Sequence, residues 1–564
     1  MRLGEIKLQR KNSRMINLPV NSKRPIRVGL LVDSFTESRW VFNIIRDIQS
    51  SEIAEVCLVI KNDTTSQRQS RFKSYWKNRK YLLYALYNRL DQFPSLVGED
   101  AFEDIDLTDL LADVPVLGVQ PIMKKFSDWF PPDAIEKIRS YDLDVAISFG
   151  FRILRGDALR IAKHGVWSYH HGDNFVNRGG PPGFWEVMEG SPISGAVLQV
   201  LSEDLDNGEV IDRSWTRTSD RFSVRGSKNN LYWRSSAFVM RKLRQLYESG
   251  KVASEASVFR PYYNRLHKAP TNAELLPKLC NLYLSYAAAK LRHSFFFDQW
   301  WLAYRFRTSP DDPNNSFYRF KNLVPPKDKF WADPFPVKFG EKYFVFFEEY
   351  LYKDNKAHIS VIELSKSGVS EPAPVLKRDY HLSYPFVFHW NDRHYMIPET
   401  AANKTIEVYA CESFPNEWKL ETVLFESIAA RDATLFEVDG LWWMFVAIAD
   451  TDFSDELFLY YSENPFGPWK PHQRNPVKSD VRNSRPAGRP FYWNGDLYRP
   501  AQDSSRGYGY GMRINRIVRL TPAEFVEEEV SQVLPQWRKD LRGTHTLNIC
   551  DDLTVIDCLV HRRR

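Results

Sequence analysis

No stretch of about 20 apolar residues occurs in this chain, so no segment of it is suited to cross a bilayer as a helix. Cysteine is scarce. Cys57, Cys280, Cys411, Cys550 and Cys558 are the whole set, odd in number and with no pair at metal-ligand spacing. A disulfide scaffold and a cysteine-ligated metal centre are therefore excluded, and the expectation is free thiols in the reducing cytoplasm, with no metal. An excess of one charge is lacking too: 77 Lys and Arg face 71 Asp and Glu, a formal charge of +6. With no polybasic arm, nucleic acid is not an expected partner. The N-terminal MRLGEIKLQRKNSRMINLP is basic but leads into no apolar core, so it does not read as a secretory leader. Glycine is missing where a dinucleotide fold needs it: DSFTESRW follows the first apolar run, which rejects a dinucleotide cofactor.

Aromatic residues are plentiful, at 14% of the chain with 17 Trp. They suit β-rich cores and sugar-stacking surfaces alike. A chain of 564 residues exceeds what one hydrophobic core supports. Four parts are expected: an extended or disordered arm over 1–25, an α/β domain over 26–215, a helical linker over 216–315 and an all-β domain over 316–564. In the second part, IRVGLLVD and EVCLVIKND are unbroken apolar runs on either side of a helical stretch from Ser38 to about Ser50. That is the opening of a parallel, Rossmann-like sheet. DVAISFG, GVWSYH and SGAVLQVL continue it, while 63–110 reads as an insertion. In the linker, PTNAELLPKLCNLYLSYAAAKLRH is helical by its apolar spacing. FFFDQWWLAYRF is also read as helix, either packed between the domains or lying in a membrane interface.

After Pro325 the texture becomes a series of hairpins with Gly, Asn or Asp turns: WADPFPVKFGEKYFVFFEE, SYPFVFHWNDRHYMIPE, RDATLFEVDGLWWMFVA and GRPFYWNGDLYRPAQD. Taking Asp333, Tyr384, Asp432 and Arg489 as equivalent starts gives spacings of 51, 48 and 57, with a fifth start near His545. A repeat near 50 residues with several strands per unit predicts a five-bladed β-propeller. Innermost strands of such a fold begin at the axis. Asp333, Glu399, Asp432, Arg485, Arg489, Gln502, Asp503 and His545 are therefore expected to share one polar pocket, with Asp503 at its rim.

In the α/β part, His170 ends an apolar run. Arg178-Gly179 follows eight positions on, and Leu205-Asp206-Asn207-Gly208 places an Asp 36 positions on. These spacings, with FGFRIL at 149–154, resemble the formyltransferase family, which includes the methionyl-tRNA, glycinamide ribonucleotide and sugar N-formyltransferases. The resemblance covers about 26–215. It implies His170 as general base, Asp206 as its carboxylate partner, and 10-formyltetrahydrofolate as formyl donor. By the same resemblance, Phe149, Gly150 and Phe151 lie near the folate, and Arg178, Gly179 and Trp185 near the substrate amine. Ser168 stands where the family has an Asn. A hydroxyl is a shorter donor than an amide, and one lost oxyanion donor costs about 10²–10³ in rate.

The hairpin half resembles five-bladed propellers of the arabinanase, xylosidase and invertase type. It is more similar to the N-terminal region of the plant glucosaminyl transferases of inositolphosphorylceramide, through its DPF, SYP, PET, GRPF and QD segments. For the propeller pocket three readings stay open: polar residues that join blades, sugar binding without cleavage, and hydrolysis or glycosyl transfer. The whole sequence points to a carbohydrate-modifying protein that moves a formyl group onto an amino sugar, free or within a glycan. The alternative is a degenerate formyltransferase scaffold carrying a glycan-binding or glycan-processing propeller.

Overall fold

The computed structural model describes residues 23–64, 79–91, 99–203, 208–218, 223–254, 262–307, 316–448 and 455–564. The expected arm lies outside them but for its last three residues.

Apolar runs without alternation build the first sheet. Ile26–Val32 is at its centre, fully buried from Val28 onward. It pairs in parallel with Ala54–Asn62 on one side and Val145–Ser148 on the other. Val116–Val119 extends the first side and Val166–His170 the second, both in parallel. Antiparallel strands Ile193–Val200 and Glu209–Arg217 complete seven. The chain leaves the central strand towards one side and returns on the other. Loops after Val32 and Ser148 therefore diverge, and a crevice opens where they part. Arg39–Gln49 covers one face with Trp40, Val41, Ile44, Ile45 and Ile48.

The expected linker needs correction at both ends. Helices Val224–Ser235 and Phe238–Ser249 belong to the first core, where Leu231, Tyr232, Phe238, Val239, Leu243 and Leu246 join the sheet residues. FFFDQWWLAYRF is not a helix. Phe296–Phe306 is a strand, paired antiparallel with Leu553–Arg563 over its whole length. Trp300, Trp301, Leu302, Ala303 and Tyr304 are all buried, so both faces of the strand are covered. A run apolar on every side is the pattern from which periodicity cannot tell strand from helix. Helix Asn272–Phe295 is where the spacing puts it, opened by a capping box between Thr271 and Glu274.

The second half consists of five antiparallel sheets in chain order. One is closed by the pairing of Phe296–Phe306 with the last strand, which joins the start of this half to its end. In three sheets the first strand carries a bulge at the same place, with a left-handed residue at its centre: Asp333, Tyr384 and Asp432, at φ 51°, 44° and 55°. Gly488, at φ 130°, holds the matching position in the fourth, one residue before the Arg489 that the repeat suggests. A belt of hydrogen bonds links these positions. Tyr384 N–H donates to Asp333 Oδ2 at 3.2 Å, Gly488 N–H donates to the Tyr384 hydroxyl at 2.9 Å, and Thr546 Oγ1 donates to Asp333 Oδ1 at 2.6 Å. First strands meeting at a common centre are the geometry of a propeller axis.

The halves dock through charge. Arg234 pairs with Asp455 and, at 3.0 Å, with Glu456, which also takes Arg241 at 2.7 Å. Val481 N–H donates to the Trp215 carbonyl at 2.9 Å.

Candidate functional site

Two cavities merit chemistry. The smaller, of about 570 Å³, lies in the crevice of the first sheet. Its floor follows from local packing. Gly150 N–H donates to Leu31 O at 2.9 Å and Phe151 N–H to Asp33 Oδ1 at 2.8 Å. A Cβ on Gly150 would stand 2.4 Å from the Asp33 nitrogen, so only glycine allows this approach. Phe149, Gly150, Phe151 and Ser168 all line the cavity. Trp40, Tyr169 and Tyr232 give it flat aromatic walls, and Lys125, Arg152 and Arg155 make part of its lining cationic.

Of the remaining expected site residues, those that are described do not line this cavity. His170 does not line this cavity; its Nε2 lies 3.1 Å from the Asn177 carbonyl oxygen. Among the described residues, Glu186 is an acid near it, and burial raises its pKa while Asn177 and His170 pull it down. Asp206 falls outside the described residues. Arg178 donates from Nε to Asn174 O at 2.9 Å and covers the Tyr262 ring. Gly179 is bridged to His267, and Trp185 Nε1 donates to Lys268 O at 3.1 Å. These three are thus packed against 262–268, away from the cavity. The imidazole on the cavity wall is His171, the neighbour of His170, which no spacing in the sequence marks. It stacks on Tyr232 with ring centres 3.5 Å apart, and its Nε2 is 3.0 Å from Ser235 Oγ. Burial, then the neighbouring His170 and Lys228, hold its pKa well below the ordinary value, so it is neutral at physiological pH.

The larger cavity, of about 1120 Å³, lies at the propeller axis beneath the first domain. Glu399, Arg485 and His545 line it. Asp333 and Asp432 do not; they are only 3% and 1% exposed and sit under its floor. Asp432 is taken up by the Arg485 guanidinium and by Gln502 Nε2 at 3.1 Å. His545 lies 3.5 Å from Asp333 and 2.6 Å from Asp557, an acid that no motif had marked. These three could share a cation, their donor atoms lying within 4.8 Å, yet Thr546 and main-chain N–H groups already satisfy the carboxylates. Arg489 points away, stacked on Phe386 and bonded to the Val387 carbonyl. Asp503 is held by Arg513 at 3.0 Å and is not at the rim. The expected single pocket is therefore corrected to a three-residue lining over a buried ionic layer. The reason is that the axis is closely packed, and carboxylates with arginine beside them are drawn into ion pairs.

Burial, then the charge of Asp432, pushes Glu399 up to about 8, with Arg485 at 3.4 Å pulling the other way. Burial likewise raises Asp333 to about 7. His545 rises to about 9 because Asp557 and Asp333 overcome the opposing effect of burial. On the wall, His381 Nε2 lies 3.2 Å from Glu348, which lifts the imidazole pKa against burial. Helix Val224–Ser235 supplies the roof with Asn229, Asn230, Trp233 and Arg234, and Trp300, Phe330, Tyr350 and Tyr508 add aromatic surface. Sequence could not reveal that roof, because domain docking alone brings it to the axis.

Residues 322–548 match the family described as glucosamine inositolphosphorylceramide transferase 1, N-terminal. The glucosamine inositolphosphorylceramide transferase 1 of Oryza sativa subsp. japonica is 36% identical over 221 residues, which is 37% of this chain and 29% of the relative. Methionyl-tRNA formyltransferase of Prochlorococcus marinus is 33% identical over 81 residues, 14% of this chain and 24% of its own. Among solved structures, glycinamide ribonucleotide transformylase 1 from Symbiobacterium toebii is 16% identical with a TM-score of 0.28, covering 43% of this chain and 95% of that one. Zg3597, a family 117 glycoside hydrolase of Zobellia galactanivorans, is 14% identical with a TM-score of 0.31, covering 46% and 90%. The chain spans less than a third of the length of the curated relatives it matches. Its second half is thus similar to the N-terminal part of proteins named glucosamine inositolphosphorylceramide transferase 1.

Proposed function

We propose that this protein modifies a carbohydrate and that the cavity between its halves holds the sugar. One observation carries this reading. A single large cavity combines aromatic faces from both halves with hydrogen-bonding acids and cations, Glu348, Glu399, His381 and Arg431. Sugars are bound in that way, by C–H faces against aromatic rings and by hydroxyls bridged between polar groups. Cleavage is not the favoured chemistry. A glycosidase needs two carboxyl groups about 5–9.5 Å apart on either side of the bond, whereas Asp432 is buried in an ion pair and Glu399 is in hydrogen-bonding contact with it. Calorimetric titration of the full chain with amino sugars and glycan fragments tests the reading. Binding should weaken about 3- to 10-fold in Trp233→Ala, the worth of one aromatic contact. Absence of binding to the whole panel overturns it.

A second reading concerns the first domain. Formyl transfer from 10-formyltetrahydrofolate to an amino sugar is supported by the residues of the 570 Å³ cavity. Its aromatic walls suit a flat ring system and its cationic lining suits a carboxylate tail. When bound, that donor would supply the formyl carbon. Ser168 would offer one hydroxyl donor to the developing oxyanion, and His171, with Nε2 engaged by Ser235, would present Nδ1 to take a proton. Release of tetrahydrofolate with a panel of amino-sugar nucleotides measures it, against His171→Ala as the blank.

A further inference from the structure

Helix Asn272–Phe295 changes character halfway. Leu275, Leu279 and Leu282 are buried against the first domain. From Tyr283 to Phe295 every residue but Ala289 is exposed. Those thirteen residues form about 20 Å of helix with mostly exposed side chains, its far end held by the His293 ring against His561. They are not polar: Leu284 is 71% exposed, Leu291 63%, Phe295 59% and Tyr283 55%. A short helix has little stability of its own in water, and Leu284, Leu291 and Phe295, which their spacing sets on one face, form an apolar stripe that calls for a cover.

Charge decides between covers. No Asp or Glu occurs from Leu275 to Phe297, while Lys290 and Arg292 lie on the exposed half. Exposed Arg563 and Arg564 stand at the helix end, where Arg564 N–H donates to Phe295 O at 3.1 Å. A second copy would bring cation against cation. An anionic lipid surface would receive the leucines and aromatic rings in its acyl boundary and the cations at its headgroups. We infer that this helix docks the protein on an anionic phospholipid surface, lying on it without crossing it. In agreement, no helix among the described residues is long and apolar enough to span a membrane.

Co-sedimentation of the full chain with vesicles tests this, using phosphatidylcholine alone and phosphatidylcholine with phosphatidylglycerol. The protein should bind the anionic vesicles, bind the neutral ones far less, and release in high salt. Leu284→Glu/Leu291→Glu should lose binding at least tenfold. Lys290→Ala/Arg292→Ala, which leaves the apolar surface intact, should lose about 25-fold on anionic vesicles, fivefold per cation, and nothing on neutral ones. Failure to bind anionic vesicles overturns the inference. So does equal binding to both kinds, or a dimer by light scattering that Leu284→Glu/Leu291→Glu dissolves while vesicle binding is absent.

Discussion

Glu399 holds a proton that the unfolded chain would release, since its pKa is raised from 4.5 to about 8. The stability tied to this group is full below about pH 4.5 and is lost as pH rises towards 8. Glu399→Gln removes that slope, so the denaturant midpoint of the variant should fall less than the wild type's between about pH 5 and pH 8. His171 acts in the opposite sense, losing stability as pH falls below 6.5, which is why the comparison is made against wild type. Asp557 poses a related test. With His545 raised to about 9, its imidazolium is buried beside two acids at neutral pH. Asp557→Asn should cost about 3–5 kcal/mol there, the usual cost of breaking a buried pair. The loss should shrink above about pH 9, where the imidazole is neutral in wild type as well. At Ser168 the expected change is a gain. An amide restores reach towards the oxyanion, so Ser168→Asn should raise any tetrahydrofolate release by up to about 10²–10³. An unchanged rate would place the oxyanion elsewhere.

Among elements, the bulged first strands do most to fix the axis. Residues Asp333, Tyr384 and Asp432 accept a left-handed backbone to do so, and Tyr384 is a bulky side chain for that region. Gly488 is more tightly confined, because a Cβ there would stand 2.1 Å from the Leu547 carbonyl oxygen. Gly440, also left-handed at φ 77°, meets nothing within 4 Å. Thermal denaturation should therefore separate them. Gly440→Ala should cost about 1–2 kcal/mol, the backbone penalty alone, whereas Gly488→Ala should cost several times more or prevent folding of the second half. Hairpins were legible at this scale, because turn residues and alternation are local signals. The strand Phe296–Phe306 was not, since its pairing partner lies some 250 residues further on, at Leu553–Arg563, and its buried faces erase the alternation.

At the scale of the molecule, the two halves are joined by a buried ionic cluster. Arg234→Ala strips Asp455 and weakens Glu456, both buried, and leaves charge without its partner, at a cost of about 3–5 kcal/mol. Calorimetry should show the transition of the first domain moving below that of the second. Sugar affinity should fall with it, since the same helix roofs the cavity. The sequence by itself determined the layers: apolar runs dictate a parallel sheet, and hairpins repeating near every 50 residues dictate antiparallel sheets around an axis. Hairpin ends also marked Glu399 and His545, and the formyltransferase resemblance marked Ser168 and Gly150. Only the tertiary structure decided which groups face a cavity. His170 turned towards Asn177 and left His171 on the wall, Asp333 and Asp432 sank beneath the floor, and Trp233 arrived as a roof. Strand and turn preferences act over a few residues and can be read locally. Burial, ion pairing and docking are settled by neighbours hundreds of positions away, and those same contacts set the protonation of the groups lining the cavities.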